Sequence, residues 1–306
     1  MSILRLNKPR TWHLVSACTA CVWLFPIAGR AQWIHYPTSG VPKNRDGKPN
    51  LTAPAPRTVD GRPDLSGVWF SAAVVPDPSC PPTDSGCISQ GLAPIRMFHI
   101  GLTSFSDHFP TNDELLRLLP YQPWAADLVR KRLAWQQTMA GSTDHGAIID
   151  PHARCLPPNF PRAWELPQYK RIVQSSSLVV ILHEFQATYR LIFTDGRPLP
   201  VDPTPSWNGY SVGHWEGDTL VIETTGFRDD LWLDTSGSPL TDAARVTERI
   251  RRVNFGQLQV EVTVNDPKAY TRPWTVQMNQ AFALDTDLLD DICLENEHDA
   301  AKYSGK

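Results

Sequence analysis

Regular alternation of apolar and polar residues, most complete in LQVEVTV at 258–264, constrains the fold of this chain more than any other feature. In a strand, such alternation places apolar side chains on one face and polar side chains on the other. The sequence predicts further strands at 67–72, 178–185, 188–193 and 274–284. Because closure of antiparallel strands removes exposed edges, we predict a mainly β fold: an antiparallel barrel or a strongly curved sheet of about ten strands.

One helical segment is predicted near 111–140, inserted after the first strand. Asn112 can cap a short turn over 113–119. Pro123 suits the first position of a helix, because the N–H that proline lacks would have no partner there, and no further helix breaker follows until about Met139. We expect this helix to pack on the sheet or to close one end of the barrel.

The first 31 residues have the composition of a signal peptide. Three basic residues precede an apolar run over 11–28, and small residues precede a cleavage site after Ala31. We therefore predict a periplasmic or secreted protein without stable membrane insertion after cleavage, while retention of this segment as an anchor stays open. Its removal changes the formal net charge from −3 to −7, and the mature chain has no basic stripe suited to nucleic acid.

Residues 32–65 are predicted as an extended N-terminal arm, and residues 66–306 as a single barrel-like domain. A short phrase repeats in the arm, DGKPNL at 46–51 and DGRPDL at 60–65, with a partial third copy, DGRPL, at 195–199. The Asp-Gly pair favours a tight turn, and the residue before proline favours an extended backbone. Each copy therefore predicts a turn followed by an extended exit.

Four cysteines remain after residue 31, namely Cys80, Cys87, Cys155 and Cys293. An even number in an exported chain predicts disulfides, and we favour Cys80–Cys87 across a proline-rich loop and Cys155–Cys293 between a mid-chain loop and the last strand. The mature chain has no closely spaced cysteine pair typical of zinc sites, and no phosphate-binding or dinucleotide fingerprint. We therefore predict neither a metal nor a cofactor.

The stretch GHWEGDTLVIETTGF, residues 213–227, predicts a β-hairpin. We expect a three-residue turn with Gly217 in the left-handed region, which would place His214 opposite Asp218. An imidazole beside a carboxylate is suited to general acid or base catalysis. The same pair is also an ordinary cross-strand contact, so both interpretations stay open.

Glu248 is the candidate acid with the clearest positional signal. In VTERIRR it lies between Val246 and Ile250, on the strand face that should be buried. Burial of an unpaired carboxylate is costly, so we expect it to be protonated or paired with an arginine, from among Arg190, Arg252 and Arg272. Such a group could orient a ligand or transfer protons, and it could equally be a structural ion pair.

His183 shares a predicted strand face with Val179, Ile181 and Phe185. A histidine among apolar residues is either a core side chain or a second acid or base. Both interpretations stay open for His183.

Aromatic residues on or next to the predicted strands could line a cavity for a flat or apolar molecule. We therefore predict binding of a small apolar or aromatic molecule in the barrel interior, with the oligomeric state left open. One alternative is a cofactor-independent lyase, isomerase or hydrolase that uses Glu248 and His183, and a second is an envelope interaction protein. The residues expected to contact the ligand are Tyr189, Arg190, Asn208, Tyr210, Arg252, Tyr270, Arg272 and Trp274.

Several phrases together resemble a large family of exported bacterial proteins of unassigned function. They cover nearly all of the mature chain and are DGKPNLTAPAPRTVDGRPDLSGVW, DPHARCLPPNFPR, PSWNGYSVGHWEGDTLVIETTGF, VTERIRR and NDPKAYTRPW. The resemblance implies no known activity. In that family, position 214 is often arginine and position 245 often histidine, whereas this chain has His214 and Arg245. An arginine would pair with Asp218 equally well, which weakens the case for His214 as a catalyst.

The first predicted strand also carries Gly67-Val68-Trp69, which is similar to the Gly-x-Trp of lipocalin-like (calycin) barrels. This similarity implies a closed barrel that holds a ligand, and it is an analogy of fold.

Overall fold

A computed structural model describes residues 37–72, 116–117, 119–139 and 150–295. Within these residues the longest helix is α1, and it begins and ends where the sequence predicted, at Pro123–Met139. The strands are β1 Gly67–Ser71, β2 Lys170–Gln174, β3 Leu178–His183, β4 Thr188–Phe193, β5 Tyr210–Glu216, β6 Thr219–Thr225, β7 Leu231–Trp232, β8 Pro239–Leu240, β9 Arg245–Asn254, β10 Gln257–Asn265, β11 Trp274–Gln277 and β12 Gln280–Phe282.

Nine strands close into a barrel, in the order β10, β12, β1, β2, β3, β4, β5, β6 and β9, with β9 pairing back onto β10. Strand β11 is added to β10 beside this ring, and β7 and β8 form a separate small hairpin. The predicted β-barrel is therefore confirmed. One neighbouring pair, β4 and β5, is parallel, because residues 194–209 return the chain to the end of the barrel where β4 began. The barrel is consequently mixed.

Alternation along β9 and β10 separates the interior of the barrel from its surface. On β10 the four aliphatic side chains of 258–264 are buried, as predicted. On β9, Val246, Glu248 and Ile250 face inward, whereas Arg249 and Arg251 face outward. The interior is thus a packed apolar core that also encloses charged groups.

The β5–β6 hairpin differs from the predicted one. Glu216 pairs with Thr219, so the turn has two residues, Gly217 and Asp218, and Gly217 has φ +59°. A positive φ at the first central residue, with a negative φ at Asp218, is the pattern of a type II′ turn, whose twist matches that of the strands. The register therefore places His214 opposite Val221, and the predicted pairing of His214 with Asp218 is wrong.

The two arm repeats form the same hook fourteen residues apart. Thr58 N donates to Arg62 O at 2.8 Å, and the equivalent Asn44 N donates to Lys48 O at 2.8 Å. Each hook leads into a leucine: Leu51 packs against the core, and Leu65 is fully buried. The repeat therefore positions two apolar anchors.

The arm closes one end of the barrel, which we call the arm end. The backbone N–H groups of Phe255 and Gly256, in the β9–β10 turn, donate to Ala53 O and Leu51 O at 2.8 Å. Arg57 forms two hydrogen bonds with the carboxylate of Asp218, at 2.9 and 2.8 Å. The arm is thus part of the folded domain.

The opposite end, the loop end, is covered by α1 and by residues 150–168. Tyr121, just before α1, shares a 2.7 Å hydrogen bond with Ser238, and Trp124 Nε1 donates to Lys268 O at 2.7 Å. The predicted Cys155–Cys293 disulfide is present and ties this cover to the C-terminal segment across 138 residues. Cys80, Cys87 and the predicted signal peptide lie outside the described residues. In the part of the chain described above, no helix has the length and apolar character needed to cross a membrane.

We expect Leu65→Ala to lower the free energy of unfolding by about 2–5 kcal/mol, because it removes a fully buried side chain and leaves a cavity. Val59→Ala, in the same arm at an exposed position, is the matched control and should change stability little. Denaturant unfolding of the full chain measures both. Equal stability of the two variants would show that the arm is not part of the cooperative core.

Candidate functional site at the loop end of the barrel

Glu248 lies in the middle of the barrel interior, with no exposed surface, between Ile222 and Val262 in register. Both guanidinium Nη atoms of Arg190 donate to its carboxylate, one of them at 3.0 Å to Oε1. Trp164 Nε1 donates to the same Oε1 at 2.6 Å. The carboxylate is therefore bound by a two-pronged arginine and by an indole.

Arg190 is also fully occupied by partners. Its Nε donates to Ser211 Oγ at 3.1 Å, and Nη2 donates to Thr224 Oγ1 at 2.8 Å. A buried pair in which each charge has its counter-ion and further hydrogen bonds avoids the cost of an unpaired buried charge. The predicted burial of Glu248 and its pairing with an arginine are confirmed, and the geometry favours a structural ion pair over a reactive acid.

The other two candidate arginines do not reach Glu248. Arg252 lies near the arm end, where it donates to the carbonyl oxygens of Phe255 and Asp64 and stacks over the Trp69 ring at 4.9 Å. Burial lowers the pKa of Arg252 to about 10. Arg272 is exposed. Arg190 alone of the three pairs with the acid, and Arg252 instead caps the arm end of the interior.

The aromatic wall predicted for an interior ligand is not formed. Tyr189 is 63% exposed on the outer face of β4, because Arg190 and Ile192 occupy the inward positions of that strand. Tyr210 stacks on Phe193, and its hydroxyl accepts a hydrogen bond from Arg197 at 3.2 Å. The expectation that Tyr189 and Tyr210 line the interior is therefore wrong.

The remaining predicted contact residues bind neighbouring parts of the protein. Asn208 bridges two segments, since its Nδ2 donates to Tyr189 O at 3.1 Å and its Oδ1 accepts from Phe160 N at 3.3 Å. Tyr270 is buried and donates to Pro239 O at 2.8 Å, and its ring packs edge-on against Trp274. These groups hold loops to the barrel. They do not line a shared cavity with Tyr189, which lies on the outer face.

His214 and Asp218, predicted as an acid–base pair, have separate partners. His214 is exposed and its Nε2 lies 3.2 Å from Glu216 Oε1, whereas Asp218 binds Arg57 of the arm. The Arg57 guanidinium holds the pKa of the Asp218 carboxyl below its usual value. Both residues stabilise the surface of the hairpin.

A group of polar side chains, which we call the basal cluster, lies beneath the cover of the loop end. Its members come from α1, the 150–168 loop, β2, β3 and the β7–β8 turn. They are Arg132, Asp150, His152, Asn159, Arg162, Glu165, Gln168, Lys170, His183 and Asp234. In this cluster Arg162 binds Asp150 through two hydrogen bonds of 2.7 and 2.5 Å, and Asp150 Oδ1 also accepts from His152 N at 2.9 Å.

His183 occupies the buried position that the sequence predicted, and it is 1% exposed. Burial, followed by the charge of Lys170, holds the pKa of His183 well below its usual value, so the ring is neutral. His152 stacks on Phe185 with ring centroids 4.0 Å apart, and burial lowers its pKa to about 4. Both imidazoles of the cluster are uncharged at neutral pH.

Lys170 lies directly opposite His183 in the β2–β3 register and has no exposed surface. Its Nζ donates to Leu166 O and Gln168 O, each at 3.0 Å. Burial lowers the pKa of Lys170 to about 7, against the opposing influence of Glu184. The pKa of the Glu165 carboxyl shifts in the other direction. Burial raises it well above its usual value, and the charge of Asp234 adds to this effect. Burial therefore favours the neutral form of each of these groups.

Several polar atoms of the basal cluster are buried and have no hydrogen-bond partner among the residues that the structure describes. Buried polar groups in folded proteins are nearly always paired, so such a concentration marks a place that could accept ordered water or a polar molecule. For His183, the backbone of Phe185 and Ala163 lies next to the ring without hydrogen-bonding geometry. The atoms are Arg132 Nε, His152 Nδ1, Asn159 Oδ1, Arg162 Nε, Glu165 Oε2, Gln168 Oε1 and both ring nitrogens of His183.

Sequence reasoning identified His183 and missed most of the cluster. The burial of Lys170 could have been predicted from KRIVQ, because Lys170 lies two residues before Ile172 and therefore on the same face of the strand. For Arg162 and Glu165, the signal is a pair of charged residues inside the apolar stretch NFPRAWELP. The loop that carries them contacts the barrel through residues that are distant in the sequence, such as Trp164 with Glu248, and no local pattern reveals those contacts.

A scan of protein-family models and a search of curated proteins both find no match for this chain. Within residues 37–72, 116–117, 119–139 and 150–295, no group of three or more His, Cys, Asp or Glu side chains is arranged to hold a metal ion. Functional assignment therefore depends on the chemistry of the basal cluster.

Glu248→Gln should lower the free energy of unfolding by about 3–5 kcal/mol, because it leaves the buried Arg190 charge without a counter-ion. Glu223→Gln is the matched control, since Glu223 lies on the outer face of β6 in a half-exposed pair with Arg245, and it should cost less than about 1 kcal/mol. Urea unfolding measures both. A small effect of Glu248→Gln would contradict a structural role for this acid.

Lys170→Met should change how stability depends on pH. The unfolded amine stays protonated up to about 10.5, whereas the folded amine loses its proton at about 7. Between these values the unfolded state binds more protons, so wild-type stability should rise with pH by up to about 1.4 kcal/mol per unit relative to the variant. Unfolding curves at intervals from about pH 7 to 9.5 measure this difference, with the range limited by tyrosine titration. Parallel pH profiles would refute the shift.

Proposed function

We propose that this protein is an exported barrel that binds a small polar molecule at the basal cluster. The observation that carries the proposal is the concentration of buried, unpartnered donors and acceptors beneath the 150–168 loop. Elsewhere in the barrel, the charged interior residues Arg190 and Glu248 are paired with each other. A polar ligand differs from the apolar or aromatic molecule that the sequence predicts.

The unpartnered atoms indicate the character of the ligand. Arg132 Nε and Arg162 Nε offer donors, and Asn159 Oδ1 and Gln168 Oε1 offer acceptors. A molecule with hydroxyl, amide or carbonyl groups satisfies both kinds of site. A site built on hydrogen bonds discriminates strongly against analogues that lack the matching polar group, because its buried groups then stay unpaired.

The charges of the cluster favour a neutral molecule. Arg162 is neutralised by Asp150 in a mostly buried ion pair. The pKa of Glu165 is raised and those of His152 and His183 are lowered, so each favours its uncharged form. Arg132, which keeps its charge at neutral pH, already lies near the carboxylates of Asp230, Asp234 and Asp150. A ligand with a full charge would therefore lose its hydration here with little compensation.

Export is supported by the Cys155–Cys293 disulfide together with the signal-peptide pattern of the first 31 residues. Disulfides form and persist in oxidising compartments. A periplasmic or secreted location follows from this proposal.

A second candidate function is acid–base catalysis by the same cluster, as a lyase, isomerase or hydrolase. A protonated carboxyl and a neutral imidazole in one site are a proton donor and a proton acceptor. Glu165 and His183 supply this combination, while Glu248, the acid expected from the sequence, is already bound by Arg190. Binding and catalysis would share one site.

Native mass spectrometry of the purified full chain, followed by thermal-shift titration with neutral polyols, amides and carbonyl compounds, tests the proposal. We expect Glu165→Gln to weaken the affinity for a bound compound by about tenfold or more, because it changes a buried hydrogen-bonding group at the site. Glu223→Gln, the same replacement on the outer face, should leave the affinity unchanged. Equal affinities in wild type and Glu165→Gln would contradict binding at the basal cluster.

A further inference from the structure

We propose that Lys170 is a nucleophilic amine that forms a covalent imine with the carbonyl group of an aldehyde or ketone bound at the basal cluster. This inference depends on the proposed function, because it assigns a substrate class to the same site. It adds a specific reacting atom, Nζ of Lys170, to the binding site.

The surroundings of Lys170 are unusual for a lysine. The side chain has no exposed surface, and both hydrogen-bond partners of Nζ in the described part of the chain are backbone carbonyls. A buried ammonium is normally paired with a carboxylate, because its desolvation is otherwise uncompensated. The nearest acidic influence is Glu184, which lies at the end of β3 and is only partly buried.

The hydrogen bonds of Nζ match the neutral form of the amine. A neutral primary amine has two N–H donors and one lone pair, whereas an ammonium has three donors and no lone pair. Leu166 O and Gln168 O accept two hydrogens, so both donors of a neutral amine are used and the lone pair stays free. The lowered pKa of Lys170, about 7, agrees with this geometry. Desolvated lysines of this kind are known nucleophiles toward carbonyl groups.

His183 is the side chain placed to transfer protons during this reaction. It faces Lys170 across the β2–β3 pair and is buried. Its ring nitrogens form no hydrogen bond of ordinary geometry with the described residues, and the backbone of Phe185 and Ala163 lies next to the ring. The other titratable groups around this pair are His152 and Glu184, both of which influence the pKa of one member. A neutral imidazole can donate at one nitrogen and accept at the other.

The covalent step balances without an oxidant or a reductant. The lone pair of Nζ forms a C–N bond with the carbonyl carbon, and the π electrons of the C=O bond move to oxygen. His183 accepts a proton from nitrogen and delivers a proton to oxygen, which gives a carbinolamine. Loss of the hydroxyl group and of the second amine hydrogen as water then produces the imine.

Reductive trapping in the folded wild-type chain tests this proposal. The protein is incubated near neutral pH with propanal or acetone and sodium cyanoborohydride, and the alkylated lysines are mapped by peptide mass spectrometry. Exposed Lys43 and Lys268 serve as internal controls. We expect Lys170 to be alkylated at least tenfold faster than either control, and the signal to be lost in Lys170→Arg and kept in Lys268→Arg.

A structural lysine would give the opposite result, because complete burial would make Lys170 the slowest lysine to react. Alkylation of Lys170 slower than that of Lys43 would overturn the proposal, and this comparison needs no variant to fold. Ligand binding that is weakened by Glu165→Gln, without any trapping at Lys170, would leave the proposed function standing and refute only the imine. Trapping at Lys170 that free polar ligand suppresses would support both.

Discussion

The ion pair between Arg190 and Glu248 connects the barrel to the loop at 150–168 that covers its loop end. It lies at the centre of the barrel and joins β4 to β9 across the interior. Its carboxylate also receives the indole N–H of Trp164, so a side chain of the covering loop is anchored inside the barrel. Further contacts hold the loop as well: Gln280 Nε2 of β12 donates to Trp164 O, Asn159 Nδ2 donates to Trp232 O, and Asn208 and the Cys155–Cys293 disulfide bind it from outside.

The position of the loop in turn builds the basal cluster. Glu165 follows Trp164 directly, and the carbonyl of Leu166 is one of the two acceptors of the Lys170 amine. Arg162, in the same short helix as Trp164, is fixed by Asp150. One buried acid therefore helps to position the loop that carries several ionisable groups of the candidate site, although it takes no part in the chemistry that we propose for them. Burial in these apolar surroundings favours the neutral forms of the Glu165 carboxyl, the Lys170 amine and the imidazoles of His152 and His183.

Local patterns were sufficient to predict a β-barrel with one helical segment, but not the parallel pairing of β4 with β5. Alternation identified the inward faces of β9 and β10 and the burial of Glu248, and Pro123 marked the start of the helix. The register of the β5–β6 hairpin could not be predicted from its turn residues, because Gly217 has a positive φ in both a two-residue and a three-residue turn. The choice between these turns shifts the register of β5 against β6. Alternation places Arg190 on the inward face of β4 with Ile192, but its pairing with Glu248 joins residues 58 positions apart, which no local pattern reveals. Tyr189, the neighbouring position on the strand, therefore lies on the outer face.

The central claim is that Glu248 anchors the covering loop through Trp164. Hydrogen exchange at the amides of Ala163, Trp164 and Glu165, measured in the variant Trp164→Phe, tests it most directly. This substitution removes the indole donor to Glu248 and keeps an aromatic ring, and Trp124→Phe, at a partly exposed tryptophan on α1, is the control. We predict faster exchange at these three amides, with the amides of β10 unchanged relative to the control. Equal exchange in the two variants, or a uniform increase across loop and barrel, would contradict the anchoring role of Glu248.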